Sequence, residues 1–167
     1  MLVGGSGVGK TALAQMLVYR EFPSLHHPTI VDGYEKHFVL GDFAARISIV
    51  DSGGGDEYVA EVSPYLSDAS GFIFVVDVTN PDSLGWAAGK YGNLKALRPD
   101  FESLPIALIG TKIDSPERIV TADDLATLAS AWNCPWVETS AQEYSGVEDA
   151  FSVLVERLVP ADTPATV

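Results

Sequence analysis

Eight residues near the start of the chain, Gly4-Gly5-Ser6-Gly7-Val8-Gly9-Lys10-Thr11, limit what it can fold into. They spell G-x-x-x-x-G-K-[ST]. They follow a short apolar run, Met1-Leu2-Val3, and lead straight into a helical pattern. The glycines let the backbone turn tightly enough for successive N–H groups to point inward at phosphate oxygens. The helix that follows adds the positive end of its dipole. In such a loop Lys10 bridges the outer phosphates as a point charge, and the Thr11 hydroxyl ligates a Mg2+ shared with them. A glycine-rich stretch alone can be a plain turn, but Gly-Lys-Thr placed between a strand and a helix is not spelled that way by chance.

The rest of the composition narrows the partners. With 167 residues the chain is about one domain, and 47% hydrophobic content can bury a proper core. The formal charge of −13 disfavours nucleic acid and electrostatic docking to an anionic membrane. Cys134 is the only cysteine, so no internal disulfide forms, which suits a reducing, cytoplasmic location. No apolar run reaches the length of a membrane span, and no signal peptide opens the chain. Pro160 to Val167 carries no C-terminal cysteine box, so no lipid anchor is expected within this chain. Any membrane association would come from a segment absent here. A lost N-terminus is one explanation for the short run ahead of the loop; a short first strand is the other.

Along the chain, apolar strands alternate with helical patterns. Ala12–Tyr19 reads as a helix with Leu13, Met16 and Leu17 on one face. Glu35–Leu40 and Ala45–Val50 read as strands, with Gly41-Asp42 as a hairpin turn between them. Tyr58–Leu66 reads as a helix interrupted by Pro64, and Gly71–Val78 as a buried parallel strand. Ser83–Leu97 is a helix weakened by Gly85, Gly89 and Gly92. Pro105–Gly110 is a strand, and Thr121–Trp132 a helix capped by Thr121 with Asp124 three positions on. Trp136–Thr139 and Val147–Leu158 are the last strand and helix. The alternation implies an α/β fold with a mostly parallel sheet covered on both faces. Trp86, Trp132 and Trp136 are expected to pack in the core or at its edge. His26 and His27 are adjacent in a loop, where neighbours seldom face one site, so they are not read as a metal pair.

Further motifs sit where such sheets bind ligands, at the carboxyl ends of strands. Asp51-Ser52-Gly53-Gly54 supplies a carboxylate that can hold Mg2+, usually through water, and a glycine N–H that can meet a terminal phosphate. Thr111-Lys112-Ile113-Asp114 ends another strand. The Asp114 carboxylate accepts two hydrogen bonds, and guanine offers two adjacent donors where adenine offers no such pair. Thr139-Ser140-Ala141 ends the last strand, where a backbone N–H can meet the guanine oxygen.

Taken together, the phosphate loop, His27-Pro28-Thr29-Ile30, Asp-x-x-Gly, Thr-Lys-x-Asp and Thr-Ser-Ala resemble the Ras-like small GTPases, from Leu2 to about Leu158. The resemblance implies a P-loop fold of six strands, mostly parallel with one antiparallel edge, and five helices. It implies one guanine-nucleotide domain over residues 1–159, with 160–167 as a short disordered tail. It implies GTP and GDP as ligands and Mg2+ as cofactor. Protein effectors, an exchange factor and an activating protein would be the partners of a monomer. By position, Gly5, Ser6, Gly7, Val8, Gly9, Lys10, Thr11 and Ala12 would line the phosphates. Thr11, Thr29 and Asp51 would serve the metal. Phe22, Thr111, Lys112, Asp114, Ser140, Ala141 and Gln142 would enclose the base. Thr29, Ile30, Val31, Asp32, Gly33 and Tyr34 match the effector segment. Lys10, Thr29, Gly54 and Gly55 stand at the catalytic positions.

The chain departs from that pattern in the second switch. The family usually reads Asp-Thr-Ala-Gly-Gln-Glu, whereas here Asp51-Ser52-Gly53-Gly54-Gly55-Asp56 puts glycine where the catalytic glutamine belongs. Glycine has no side chain to orient the attacking water. Ser6 also fills a position that is glycine in Ras and can crowd an incoming arginine finger. Both departures imply slow hydrolysis, and neither removes a phosphate or Mg2+ contact. Two readings therefore stand: a slow regulatory GTPase, or a GTP-binding module that recruits partners without turnover. A P-loop kinase or ATPase would need an Arg-rich lid, and Thr29 to Asp51 holds only Arg46.

Overall fold

The computed structural model describes residues 1–24, 29–40, 43–54 and 59–158. The expected hairpin turn at Gly41-Asp42, the histidines at 26 and 27, Gly55, Asp56 and the tail beyond Pro160 lie outside them.

In chain order the elements are β1 (Leu2–Val3), α1 (Lys10–Tyr19), β2 (Val31–Leu40), β3 (Phe43–Ser52), α2 (Val59–Asp68), β4 (Phe72–Asp77), α3 (Asp82–Leu97), β5 (Ile106–Thr111), α4 (Ala122–Ala131), β6 (Trp136–Glu138) and α5 (Val147–Leu158). A 3-10 turn, Phe101–Ser103, precedes β5. The strands form one six-stranded sheet in the order β2-β3-β1-β4-β5-β6. Every pairing is parallel except that of β2 with β3, so the antiparallel strand lies at one edge as expected.

The period of two along the central strands explains how both faces are covered. In β4, Ile73 and Val75 point into one core cluster, while Phe72, Phe74 and Val76 point into the other. In β5, Ala107 and Ile109 face the first cluster and Ile106 and Leu108 the second. Helices α1 and α5 close the first face through Leu13, Leu17, Phe151 and Leu154. Helices α3 and α4 close the second through Ala87, Leu94, Leu125 and Ala129. Trp86, Trp132 and Trp136 pack at the edge of this second cluster, as their sequence context implied.

Several boundaries differ from the sequence reading, each for a physical reason. Helix α1 begins at Lys10, because Gly9 at φ +101° turns the loop directly into the first helical residue. It stops at Arg20, which adopts the left-handed conformation and donates its N–H to the Met16 carbonyl. Pro64 sits inside α2 without ending it. Gly85, Gly89 and Gly92 likewise lie within an unbroken α3. Helix α4 carries the expected capping box: the Thr121 hydroxyl accepts from the Asp124 N–H, and the Asp124 carboxylate accepts from the Thr121 N–H. Strand β2 begins at Val31, four residues before the pattern suggested, and pairs Val31 with Ser52 and Asp32 with Asp51. Strand β1 is only two residues long, yet it is central: Leu2 lies beside Asp51 of β3 and Ile73 of β4. That register brings the end of β3 alongside the loop that β1 feeds.

Candidate nucleotide site

The phosphate loop is shaped by backbone geometry that only glycine adopts easily. Gly7 and Gly9 have φ of +73° and +101°. Gly4 runs so close to β4 that a methyl group there would lie 2.7 Å from the Val75 carbonyl oxygen. Inside this turn the Lys10 ammonium is 6% exposed and donates to the carbonyls of Gly4 and Gly5, at 2.7 and 2.8 Å. Burial pulls its pKa down to about 8, with the Asp51 carboxylate opposing the shift. A poorly solvated ammonium enclosed by loop carbonyls and N–H groups is prepared to take an anion.

The three residues expected at the metal come together. The Thr11 hydroxyl donates to Asp51 Oδ2 at 2.5 Å and lies 3.1 Å from the Thr29 hydroxyl. Asp51 is fully buried at the end of β3, and among the described residues its Oδ1 has no hydrogen-bond partner. Burial pushes this carboxyl above its ordinary range, against the lowering effects of Thr11 and Lys10. A buried carboxylate oxygen without a donor calls for a cation or a water held by one. The donor set is oxygen throughout, which suits a hard divalent cation such as Mg2+. Among the described residues no group of three or more His, Cys, Asp or Glu side chains converges, so phosphate oxygens would have to complete such a site.

Both segments expected to act as switches reach this point. The Gly53 N–H donates to the Ile30 carbonyl at 2.8 Å, linking the strand that carries Asp51 to the segment that carries Thr29. Gly54 then lies directly on the phosphate loop. A methyl group on Gly54 would fall 2.2 Å from the Gly5 carbonyl carbon and 2.3 Å from the Ser6 nitrogen, so no other residue fits there. In the segment expected to meet effectors, Asp32 and Gly33 are exposed and Ile30 is half-exposed. Tyr34 instead turns inward, 8% exposed, with its ring 6.0 Å from that of Tyr19.

The side expected to hold the base is built from the ends of β5 and β6. The Thr139 N–H donates to the Gly110 carbonyl at 2.7 Å, and the Ile113 N–H donates to the Thr139 carbonyl at 3.3 Å. Arg118 and Glu138 pair across the same two loops. These contacts set Ile113, which precedes Asp114, against Thr139, which precedes Ser140. Asp114 is exposed, and its carboxylate has no hydrogen bond or ion pair among the described residues. Ser140 is fully buried and its hydroxyl accepts from the Glu143 N–H at 3.0 Å. Ala141 is half-buried, and Gln142 and Phe22 are exposed.

Two features escaped the sequence reading. Thr111 is 2% exposed, and its hydroxyl donates to the carbonyls of Val8 and Val76, at 2.6 and 3.1 Å. It fastens the phosphate loop to the sheet. The second is Asp77, at the end of β4, whose Oδ2 accepts from the Lys112 ammonium at 2.7 Å. Its Oδ1 accepts from the N–H and hydroxyl of Thr79. Burial alone would raise this carboxyl, but the Lys112 and Thr79 hydrogen bonds outweigh it and hold its pKa below the usual range. An acid closing an otherwise apolar run was the available signal, since a buried carboxylate needs partners. Lys112 itself sits at φ +63°, in the left-handed region.

A family model described as the Ras family matches residues 1–159. The chain belongs to the Ras family. It is accordingly a small GTP-binding protein of the switch type, with the P-loop fold of Ras proteins, a family whose members are in general GTPases. Among the described residues no helix is long and apolar enough to cross a membrane.

Proposed function

We propose that this Ras-family chain binds GTP and GDP together with Mg2+, hydrolyses GTP slowly, and signals through its two switch segments. The observation that carries the reading is the meeting of Thr11, Thr29 and Asp51, whose Oδ1 has no partner among the described residues, beside the buried Lys10. In this reading the loop N–H groups and Lys10 hold the phosphates, Thr11 and Thr29 supply hydroxyl ligands, and Asp51 holds the metal-bound water. When bound, Mg2+ neutralises charge on the β- and γ-phosphate oxygens. The Gly54 N–H donates to the γ-phosphate. Thr29 is held in place only when that phosphate is present, so Ile30, Asp32 and Gly33 present a different surface in the two nucleotide states. Asp114 accepts the two guanine donors, Lys112 lies against the ring, and Ser140, Ala141 and Gln142 close the pocket, with Phe22 at its edge.

The slow rate follows from the sequence at position 55. Glycine there leaves no side chain to orient the attacking water, so hydrolysis relies on phosphate positioning and electrostatics alone. Ser6 adds bulk where an arginine from an activating protein would enter. The protein would therefore remain GTP-loaded for long periods and recruit effectors in that state. The test is single-turnover hydrolysis of GTP by the natural chain and by Gly55→Gln. The expected result is a rate at least about tenfold higher for the variant, a typical worth of one positioned group. Equal rates would show that position 55 does not limit turnover.

A further inference from the structure

Among the described residues, Arg20 and Tyr144 are two of the few apart from glycine that have positive φ, at +60° and +57°. They are far apart in the chain, yet their side chains lie against each other. The Arg20 guanidinium carbon stands 3.7 Å from the Tyr144 ring centroid. Glu148, in the first turn of α5, closes the group. Its Oε1 accepts from an Arg20 N–H at 2.7 Å and from the Tyr144 hydroxyl at 3.0 Å. The backbone at Arg20 and at Tyr144 is held against its own preference, and such a conformation persists where the surroundings fix it. At Tyr144 those surroundings are this group and the Ala141 carbonyl, to which the Tyr144 N–H donates at 3.3 Å.

The place of the group in the chain gives it a role. Tyr144 lies in a loop that Ser140 and Ser145 close by exchanging two backbone hydrogen bonds, of 3.0 and 2.9 Å. That loop carries Ala141 and Gln142. Arg20 is the residue at which α1 ends, two places before Phe22. Three side chains thus join the two stretches expected to enclose the base.

We infer that Arg20, Tyr144 and Glu148 form a clasp that positions the base end of the nucleotide site. None of the three belongs to a nucleotide motif. The Arg20 and Glu148 side chains are more than half exposed, so their ion pair alone is weak. The ring face and the shared carboxylate oxygen make the contacts depend on one another, so losing one side chain opens the whole group. GTP and GDP carry the same base, so both are affected by the same factor. The inference rests on the guanine-nucleotide reading of the site.

The test is the release rate of fluorescent GDP, and of a fluorescent non-hydrolysable GTP analogue, from the natural chain and its variants with Mg2+ present. Tyr144→Gly separates the clasp from the backbone, because glycine adopts this φ freely but has no ring. It should release both nucleotides about tenfold faster. Tyr144→Phe keeps the ring over Arg20 and should stay within about threefold of the natural rate. Arg20→Ala should match Tyr144→Gly, and the double variant should release no faster than either single one, since each change already opens the clasp. A natural rate in Tyr144→Gly would reduce Tyr144 to a turn residue and overturn the inference. Effects that multiply in the double variant, or that touch only one nucleotide, would overturn it as well. A natural chain that binds no guanine nucleotide would instead overturn the reading of the site itself.

Discussion

Thr111 and Val8 are 103 positions apart in the chain and joined by a hydrogen bond of 2.6 Å, from the Thr111 hydroxyl to the Val8 carbonyl. The strand end expected to read the base therefore also holds the phosphate loop. Thr111→Val keeps the shape and removes the donor, leaving the Val8 and Val76 carbonyls without it. The expected loss is about 1–3 kcal/mol in urea unfolding, accompanied by weaker nucleotide binding. Thr111→Ser should keep most of both, and an unchanged unfolding midpoint for Thr111→Val would contradict this role.

The Asp77–Lys112 pair should make stability depend on acid pH. Hydrogen bonds from Lys112 and Thr79 keep the folded Asp77 carboxyl below its ordinary range despite its burial. The ionised form thus favours the folded state. This contribution is present above the ordinary carboxylate value and fades as the pH falls through the lower folded value. Asp77→Asn should flatten that part of the stability curve below about pH 4 and weaken guanine-nucleotide binding by freeing Lys112. Parallel acid-unfolding curves for the two proteins would count against it.

Removal of divalent cation should act through Asp51. With Mg2+ present, nucleotide release should be slow for the natural chain and about 10–100-fold faster for Asp51→Ala. With EDTA the two rates should converge, because the carboxylate then has no ion to support. A difference that persists in EDTA would show that Asp51 acts in another way.

Asp114 offers a carboxylate with no competing partner among the described residues. Asp114→Ala should cost about 1.5–3 kcal/mol of guanine-nucleotide affinity, the worth of charged hydrogen bonds, while leaving the phosphate contacts in place. Competition with ATP measures it directly: the natural chain should prefer GTP strongly, and the variant should nearly lose that preference. A variant that still excludes ATP would place base recognition elsewhere.

Much of this site was legible because its signals are local. The phosphate loop, Asp51 with its glycines, and Thr139-Ser140-Ala141 are each short words at the ends of apolar runs, and the fold brings them to one rim of the sheet. Pairings across long separations were not legible. Asp77 finds Lys112 35 positions later, and neither residue announces the other. Thr111 read as a base-contacting residue, whereas its hydroxyl faces the phosphate loop. Asp32 and Gly33 are poor strand formers, so β2 read as starting at Glu35, but ten residues of antiparallel pairing with β3 override that preference. The same pairing register carries Tyr34 into the core.

The most direct measurement is the identity of the nucleotide that the purified protein releases on denaturation. A guanine-specific switch with glycine at position 55 should release GTP as the main species. GDP as the main species would contradict slow hydrolysis, and the absence of any guanine nucleotide after incubation with GTP and Mg2+ would contradict the site itself.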